Sequence, residues 1–170
     1  LMTKKISFDV ESFSGVLNPV DQAESLPPWC YTAQSVYARE QETIFRGGWV
    51  SVGREDRWQN PCDYVALEVG GAPIIVLRGE DGVLRSFANS CRHRGMLLLE
   101  PGEGHCERIT CPFHGWNYRL DGSLQSAPKM ADAVNFDVGN YGLVEVRLAT
   151  RAGFVFVNLD GQAGNVDDWL

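Results

Sequence analysis

The chain has 170 residues, 44% hydrophobic and 22% charged, with a net charge of -7. That is enough for one ordinary domain with its own core and too apolar for a disordered chain. The negative charge gives no support to nucleic-acid binding, and no stretch approaches the ~20 apolar residues of a membrane span.

Residues 1–28 contain Gly15, Pro19, Pro27 and Pro28 and read as an irregular arm. Two lysines without a long apolar run do not make a secretory signal. Leu1 precedes Met2, and Met2 is the expected physical start. Within a region spanning 29–48, Thr32 is placed to cap a helix from about Ala33 to Phe45. Ala33, Val36, Tyr37, Ile44 and Phe45 fall near one face of it, which is expected to pack on the sheet edge. Gly47 and Gly48 end it.

From Trp49 the apolar period changes to two. Short runs recur at Trp49–Val52, Tyr64–Val69, Ile74–Leu77, Val83–Ala88, Arg108–Thr110, Asn117–Leu120, Leu143–Arg147 and Phe154–Leu159. Gly70-Gly71, Asp81-Gly82 and Asp121-Gly122 supply turns. The pattern predicts a mainly β fold: a meander of antiparallel strands closing into a small sandwich or barrel, with one N-terminal helix. After the last strand, residues 161–170 read as a stub at a cut domain edge.

Five cysteines, an odd number without a secretory signal, argue against a disulfide framework and for a reducing, cytoplasmic setting. Of three histidines, His93 and His114 follow a cysteine by two and three residues respectively. The first cluster is Cys91-Arg92-His93-Arg94-Gly95-Met96; the second is Cys111-Pro112-Phe113-His114-Gly115-Trp116. Between His93 and Cys111 lie 17 residues. Each segment follows a predicted strand and is expected at a hairpin tip, so two facing tips would present two thiolates and two imidazoles at one point. Gly95, Gly115 and Pro112 suit tight loops.

Two cysteines and two histidines also fit tetrahedral zinc. Zinc modules, however, usually pair Cys with Cys and His with His in separate knuckles. One Cys and one His per loop suit a binuclear cluster whose two irons differ, thiolates on one and imidazoles on the other. The remaining candidates read more blandly. His105 is expected to be a surface loop residue, and Cys30, Cys62 and Cys106 ordinary thiols. Arg94 is a loop brace, a contact for an acidic partner surface, or a solvated side chain. Trp116 is either a lid over the cluster or a core tryptophan.

The two cluster segments resemble the loops of Rieske non-haem iron oxygenases. The resemblance extends to Leu26-Pro27-Pro28-Trp29-Cys30-Tyr31 and to Glu42-Thr43-Ile44-Phe45-Arg46-Gly47-Gly48-Trp49, which are similar to the lead-in of the large (alpha) subunits. Asn117-Tyr118-Arg119-Leu120-Asp121-Gly122 and the run 153–159 match the strands that follow; in all, about residues 26–160 are covered. The resemblance implies a [2Fe-2S] Rieske domain over 49–160, with Cys91, His93, Cys111 and His114 as its ligands. It also implies single-electron transfer from a reductase or ferredoxin to a mononuclear iron in a neighbouring catalytic domain, in some relatives within a trimer. That second iron needs two histidines and a carboxylate. With His93 and His114 spent, this chain has only His105 left, so it is not expected to catalyse oxygenation alone. A stand-alone Rieske ferredoxin and a zinc-stabilised binding module are the other readings. Aromatic acids, polycyclic hydrocarbons and quaternary amines all fit the resemblance as substrates of the whole enzyme.

Two ferric ions, two sulfides and two thiolates cancel in charge, so neutral imidazoles leave the oxidised centre uncharged and raise its potential above that of four-thiolate clusters. Rieske centres span about -150 to +300 mV. No loop-joining cysteines stand at Met96 or Phe113, and no serine follows Gly115, which predicts the low end; a titration above about +100 mV would contradict it. Coupling to imidazole protons predicts a potential that falls at alkaline pH.

Overall fold

The computed structural model describes residues 8–130 and 132–170; residues 1–7 of the expected arm lie outside the described residues. Residues 1–41 and 42–170 form two compact units.

In the first unit, a 3-10 turn at Val10–Phe13 is capped by the Asp9 carboxylate, which accepts from the Ser12 amide at 2.9 Å. Phe8 and Phe13 set their edges on Trp29, with centroids 5.7 and 5.6 Å away. The predicted helix is broken. α1 is Trp29–Thr32 and α2 is Gln34–Glu40, separated by Ala33 in an extended conformation. Thr32 caps nothing downstream, because its hydroxyl donates back to the Pro28 carbonyl at 3.2 Å. From Gln41 to Arg46, entering the second unit, the coil widens into a π-helical turn, which breaks the 3.6-residue period. Only Val36 is buried, while Tyr37, Ile44 and Phe45 stay exposed. The expected apolar face is not a core face.

The second unit is β throughout, apart from short turns. Its main sheet contains β1 (Val50–Arg54), β2 (Asp63–Val69), β3 (Ala72–Arg78), β4 (Leu84–Ala88), β5 (Gly102–His105), β9 (Glu145–Arg151) and β10 (Phe154–Asn158). The order is β1-β10-β9-β4-β3-β2-β5, antiparallel at every pairing. A smaller sheet, β6 (Ile109–Thr110), β7 (Asn117–Tyr118) and β8 (Leu124–Ser126), follows β5. The fold is the mainly β, antiparallel half-barrel that the period of two implies.

The turn signals act as their chemistry requires. Gly70 and Gly71 both hold positive φ (54° and 74°) in the two-residue link between the paired Val69 and Ala72, a twist-matching turn that suits hairpins. β3 is buried on both faces, so its alternation sorts the core into two layers. Ile74 and Val76 join Val52, Trp58, Val65, Val146, Val155 and Val157 on one side. Ile75 and Leu77 join Phe87, Ile109, Trp116, Tyr118, Leu124 and both Cys91 and Cys111 on the other. Each such aliphatic side chain contributes about 1.5–3 kcal/mol on full burial. A third group forms where α3 (Val166–Trp169) returns Val166 to Trp49 and Phe156. No helix among the described residues is long and apolar enough to cross a membrane.

One topological expectation needs correction. The second cluster segment is a hairpin tip, since it joins the paired strands β6 and β7. The first is not. β4 pairs with β3 and β9, so the chain leaving Ala88 must cross β3 and β2 to reach the far edge, where β5 pairs with β2. The first cluster segment rides on that crossover.

Candidate metal centre

Although one loop is a crossover and the other a hairpin, their backbones close the same way. In the first, the Cys91 amide donates to the Met96 carbonyl at 2.8 Å and the Gly95 amide to the Cys91 carbonyl at 2.8 Å. In the second, the Cys111 amide donates to Trp116 at 2.8 Å and the Gly115 amide to Cys111 at 3.0 Å. Gly95 and Gly115 sit at φ 72° and 71°, a conformation that costs an L side chain about 1–2 kcal/mol. Sequence spacing alone hints at this equivalence: cysteine to glycine is four residues in both.

The crossover is pinned by Asn89, which is buried. Its Oδ1 accepts from the Leu98 and Leu99 amides at 3.1 and 3.0 Å, and its Nδ2 donates to the Leu99 carbonyl at 2.7 Å. The hairpin is held by Asn117, whose Nδ2 donates to the Gly115 carbonyl at 2.9 Å. Tyr118 ties the two loops together. Its hydroxyl lies 3.2 Å from Cys91 Sγ and accepts from the Arg92 amide at 3.0 Å. Burial, then the Cys91 sulfur, pushes its pKa well above the ordinary phenol value, so it stays a protonated donor.

The four candidate ligands divide by depth. Cys91 and Cys111 are buried in the same core group, whereas His93 and His114 are half-buried at the rim. Among the described residues, no three His, Cys, Asp or Glu side chains gather around one point. The imidazoles do meet as a pair: His93 Nδ1 and His114 Nδ1 face each other at 3.1 Å. Two nitrogens on one tetrahedral ion at 2.0–2.1 Å lie about 3.3 Å apart, so the pair fits one metal ion. Partial desolvation, followed by His93, Arg94 and Lys129, holds His114 below the ordinary imidazole value. That favours the neutral form, the one that binds metal.

Aromatic rings enclose this pair. Trp116, 1% exposed, lies flat on His93 with centroids 4.9 Å apart and planes at 8°. Phe113, largely exposed, tilts against His114 at 3.9 Å. The other candidates stand apart from the pair. His105 is exposed and bonds Asp63 across strands β5 and β2 at 3.2 Å. Cys62 and Cys106 lie across from each other, the Cys106 amide donating to the Cys62 carbonyl at 3.0 Å. Cys30 lies in the N-terminal unit and is half-buried.

Residues 48–144 match the Rieske [2Fe-2S] domain family. The chain belongs to that family. A Rieske [2Fe-2S] cluster is the family's cofactor, and electron transfer is its role. The chain is 43% identical to the carnitine monooxygenase oxygenase subunit of Escherichia coli K12 over 154 residues, which is 90% of this chain and 41% of that one. It is 34% identical to the biphenyl dioxygenase alpha subunit of Paraburkholderia xenovorans LB400, over 89% of this chain and 35% of that one. The crystal structure of the apo quaternary ammonium Rieske monooxygenase CntA superposes with a TM-score of 0.80 at 40% identity, covering 86% of this chain and 43% of its own. This Rieske chain therefore spans 35–43% of the length of these relatives. Two elements of its site escaped sequence reasoning: Tyr118 as a hydroxyl on Cys91, and the flat contact of Trp116 with His93.

Proposed function

We propose that this chain is the electron-relay domain of an oxygenase large subunit. Cys91 and Cys111 hold one iron of the Rieske cluster, and His93 and His114 hold the other. The observation that carries the reading is the 3.1 Å approach of two imidazole Nδ1 atoms from different loops, each loop closed by the same pair of backbone bonds. Once bound, the cluster supplies a reversible one-electron couple near neutral charge.

The chain's own residues set the conditions for that couple. The core around Cys91 and Cys111 keeps water from the thiolate side. Tyr118 donates to the Cys91 sulfur, and Asn89 and Asn117 hold the two loops in place around the ligands. The half-buried histidine edges are the side through which electrons exchange with partners: a reductase or ferredoxin as donor, and a mononuclear iron in a neighbouring catalytic domain as acceptor. Residues 49–160 make up the relay domain, and 161–170 begin the connection to the catalytic domain. Higher identity to the carnitine monooxygenase subunit than to the biphenyl dioxygenase subunit favours a quaternary ammonium substrate for the whole enzyme.

Purified protein should contain two irons and two acid-labile sulfides per chain and give the EPR signal of a reduced Rieske centre after dithionite. Cys91→Ala, Cys111→Ala, His93→Ala and His114→Ala should each lose it. Colourless protein with one zinc and no sulfide would overturn the assignment.

A further inference from the structure

A metal-bound histidine is ordinarily oriented by a hydrogen bond from its second nitrogen to a carboxylate or carbonyl. His93 has no such bond among the described residues; its only polar contact is Nδ1 with His114 Nδ1. A bond to metal through Nδ1 alone leaves the imidazole plane free to tilt. Within this chain the indole of Trp116 is the group placed to hold it, lying parallel to the ring within 8°.

The indole is itself immobile. Trp116 is buried, and Phe136 and Tyr141 set their rings edge-on against it at 5.6 and 5.7 Å, at 64° and 82°. Phe136 and Tyr141 also pack on each other at 4.7 Å. The Trp116 carbonyl accepts the closing bond of the second loop from Cys111. Trp116 thus belongs to the second loop but grips the histidine of the first. His114 has no equivalent: its neighbour Phe113 is 61% exposed and tilted by 36°.

We infer that Trp116 is a positioning residue, a cross-brace from the Phe136–Tyr141 wall that fixes the plane of His93, while no described ring of this chain lies flat on His114. This rests on the ligand reading proposed above. It makes the two imidazoles inequivalent for a reason built into the fold, and it assigns a task to the 136–141 segment, which has none among the ligands.

The test is pulsed EPR of the dithionite-reduced, cluster-loaded protein, which resolves the nitrogen couplings of the two imidazoles separately. Trp116→Phe keeps a flat ring and should leave both couplings as in the wild type. Trp116→Leu should retain full iron and sulfide, broaden and shift one imidazole coupling, leave the other in place, and shift the midpoint potential. Tyr141→Leu removes the wall behind the indole without touching either loop. It should broaden the same coupling to a smaller extent, and it decides the matter should Trp116→Leu not fold. Unchanged couplings in a loaded leucine variant, or equal changes in both, would overturn the brace while leaving the ligand assignment intact. Wild-type protein without a cluster would take down the assignment itself.

Discussion

Tyr118 reaches from β7 to the first loop, and its hydroxyl lies 3.2 Å from the sulfur of Cys91, a proposed ligand, to which it donates once that sulfur is a thiolate. A hydrogen bond to a charged acceptor contributes about 1.5–3 kcal/mol, and it stabilises the more electron-rich reduced state more than the oxidised one. Tyr118→Phe should therefore lower the midpoint potential, on the order of 60 mV for about 1.4 kcal/mol of differential stabilisation in a one-electron couple, with iron content unchanged. A potentiometric titration showing no shift, or a rise, would contradict this. The proposed ligands were legible because cysteine and histidine are rare in this chain and their spacing is short. Tyr118 was not, because the bond to Cys91 joins residues 27 apart and nothing in the local sequence marks it. The same reason hid the contact between Trp116 and His93: sequence placed the tryptophan after the turn but could not choose between lid and core. It is a core residue with one face on the ligand.

The element that most depends on a single residue is the β7–β8 hairpin beneath the second loop. Gly122 has φ 86°, and a Cβ built there would stand 2.4 Å from the Phe87 ring on β4. Its carbonyl also accepts from the Leu143 amide at 2.8 Å. Gly122→Ala combines a left-handed backbone penalty with overpacking against a buried ring, together about 2–4 kcal/mol. A urea midpoint unchanged within error would show that the ring yields freely. Asp121-Gly122 was readable as a turn from composition, as were most strands from their alternation. β5 was not: Gly102-Glu103-Gly104-His105 has no β-branched or aromatic residue, and it is a strand only because β2 offers a free edge to pair with. The helix expected over 33–45 failed for the converse reason. Its periodicity was local, but the extended Ala33 and the widening at Gln41 break the face that the period implied.

Across the whole molecule, the titrating groups pull stability in opposite directions at the two ends of the pH scale. Asp63, Asp81 and Asp121 lie below the ordinary carboxylate range. The leading causes are the Asn60 backbone amide, the Arg85 guanidinium and the Ser123 hydroxyl respectively. Their folded pKa is depressed, so what they contribute is present above the unfolded value near 4 and is lost as pH falls below it. Cys106 behaves the other way. Burial, then the nearby Cys62 thiol, pushes it up to about 11 from 9.0. The folded state holds this proton more tightly than the unfolded chain does. Stability is therefore intact below pH 9 and declines as pH rises towards 11. Cys62 is raised as well, chiefly by its own burial, and adds to the same decline. Cys62 and Cys106 are joined by a backbone bond at the end of the β2–β5 pairing, in the core layer that also contains Cys91 and Cys111. Alkaline loosening should therefore begin at the β2–β5 end of that layer rather than in the Val-rich layer on the opposite face of the sheet. Cys106→Ser removes one titrating group from that edge. Urea midpoints taken at pH 8, 10 and 11 should fall less steeply for the variant than for the wild type. Parallel curves would show that the decline originates elsewhere in the fold.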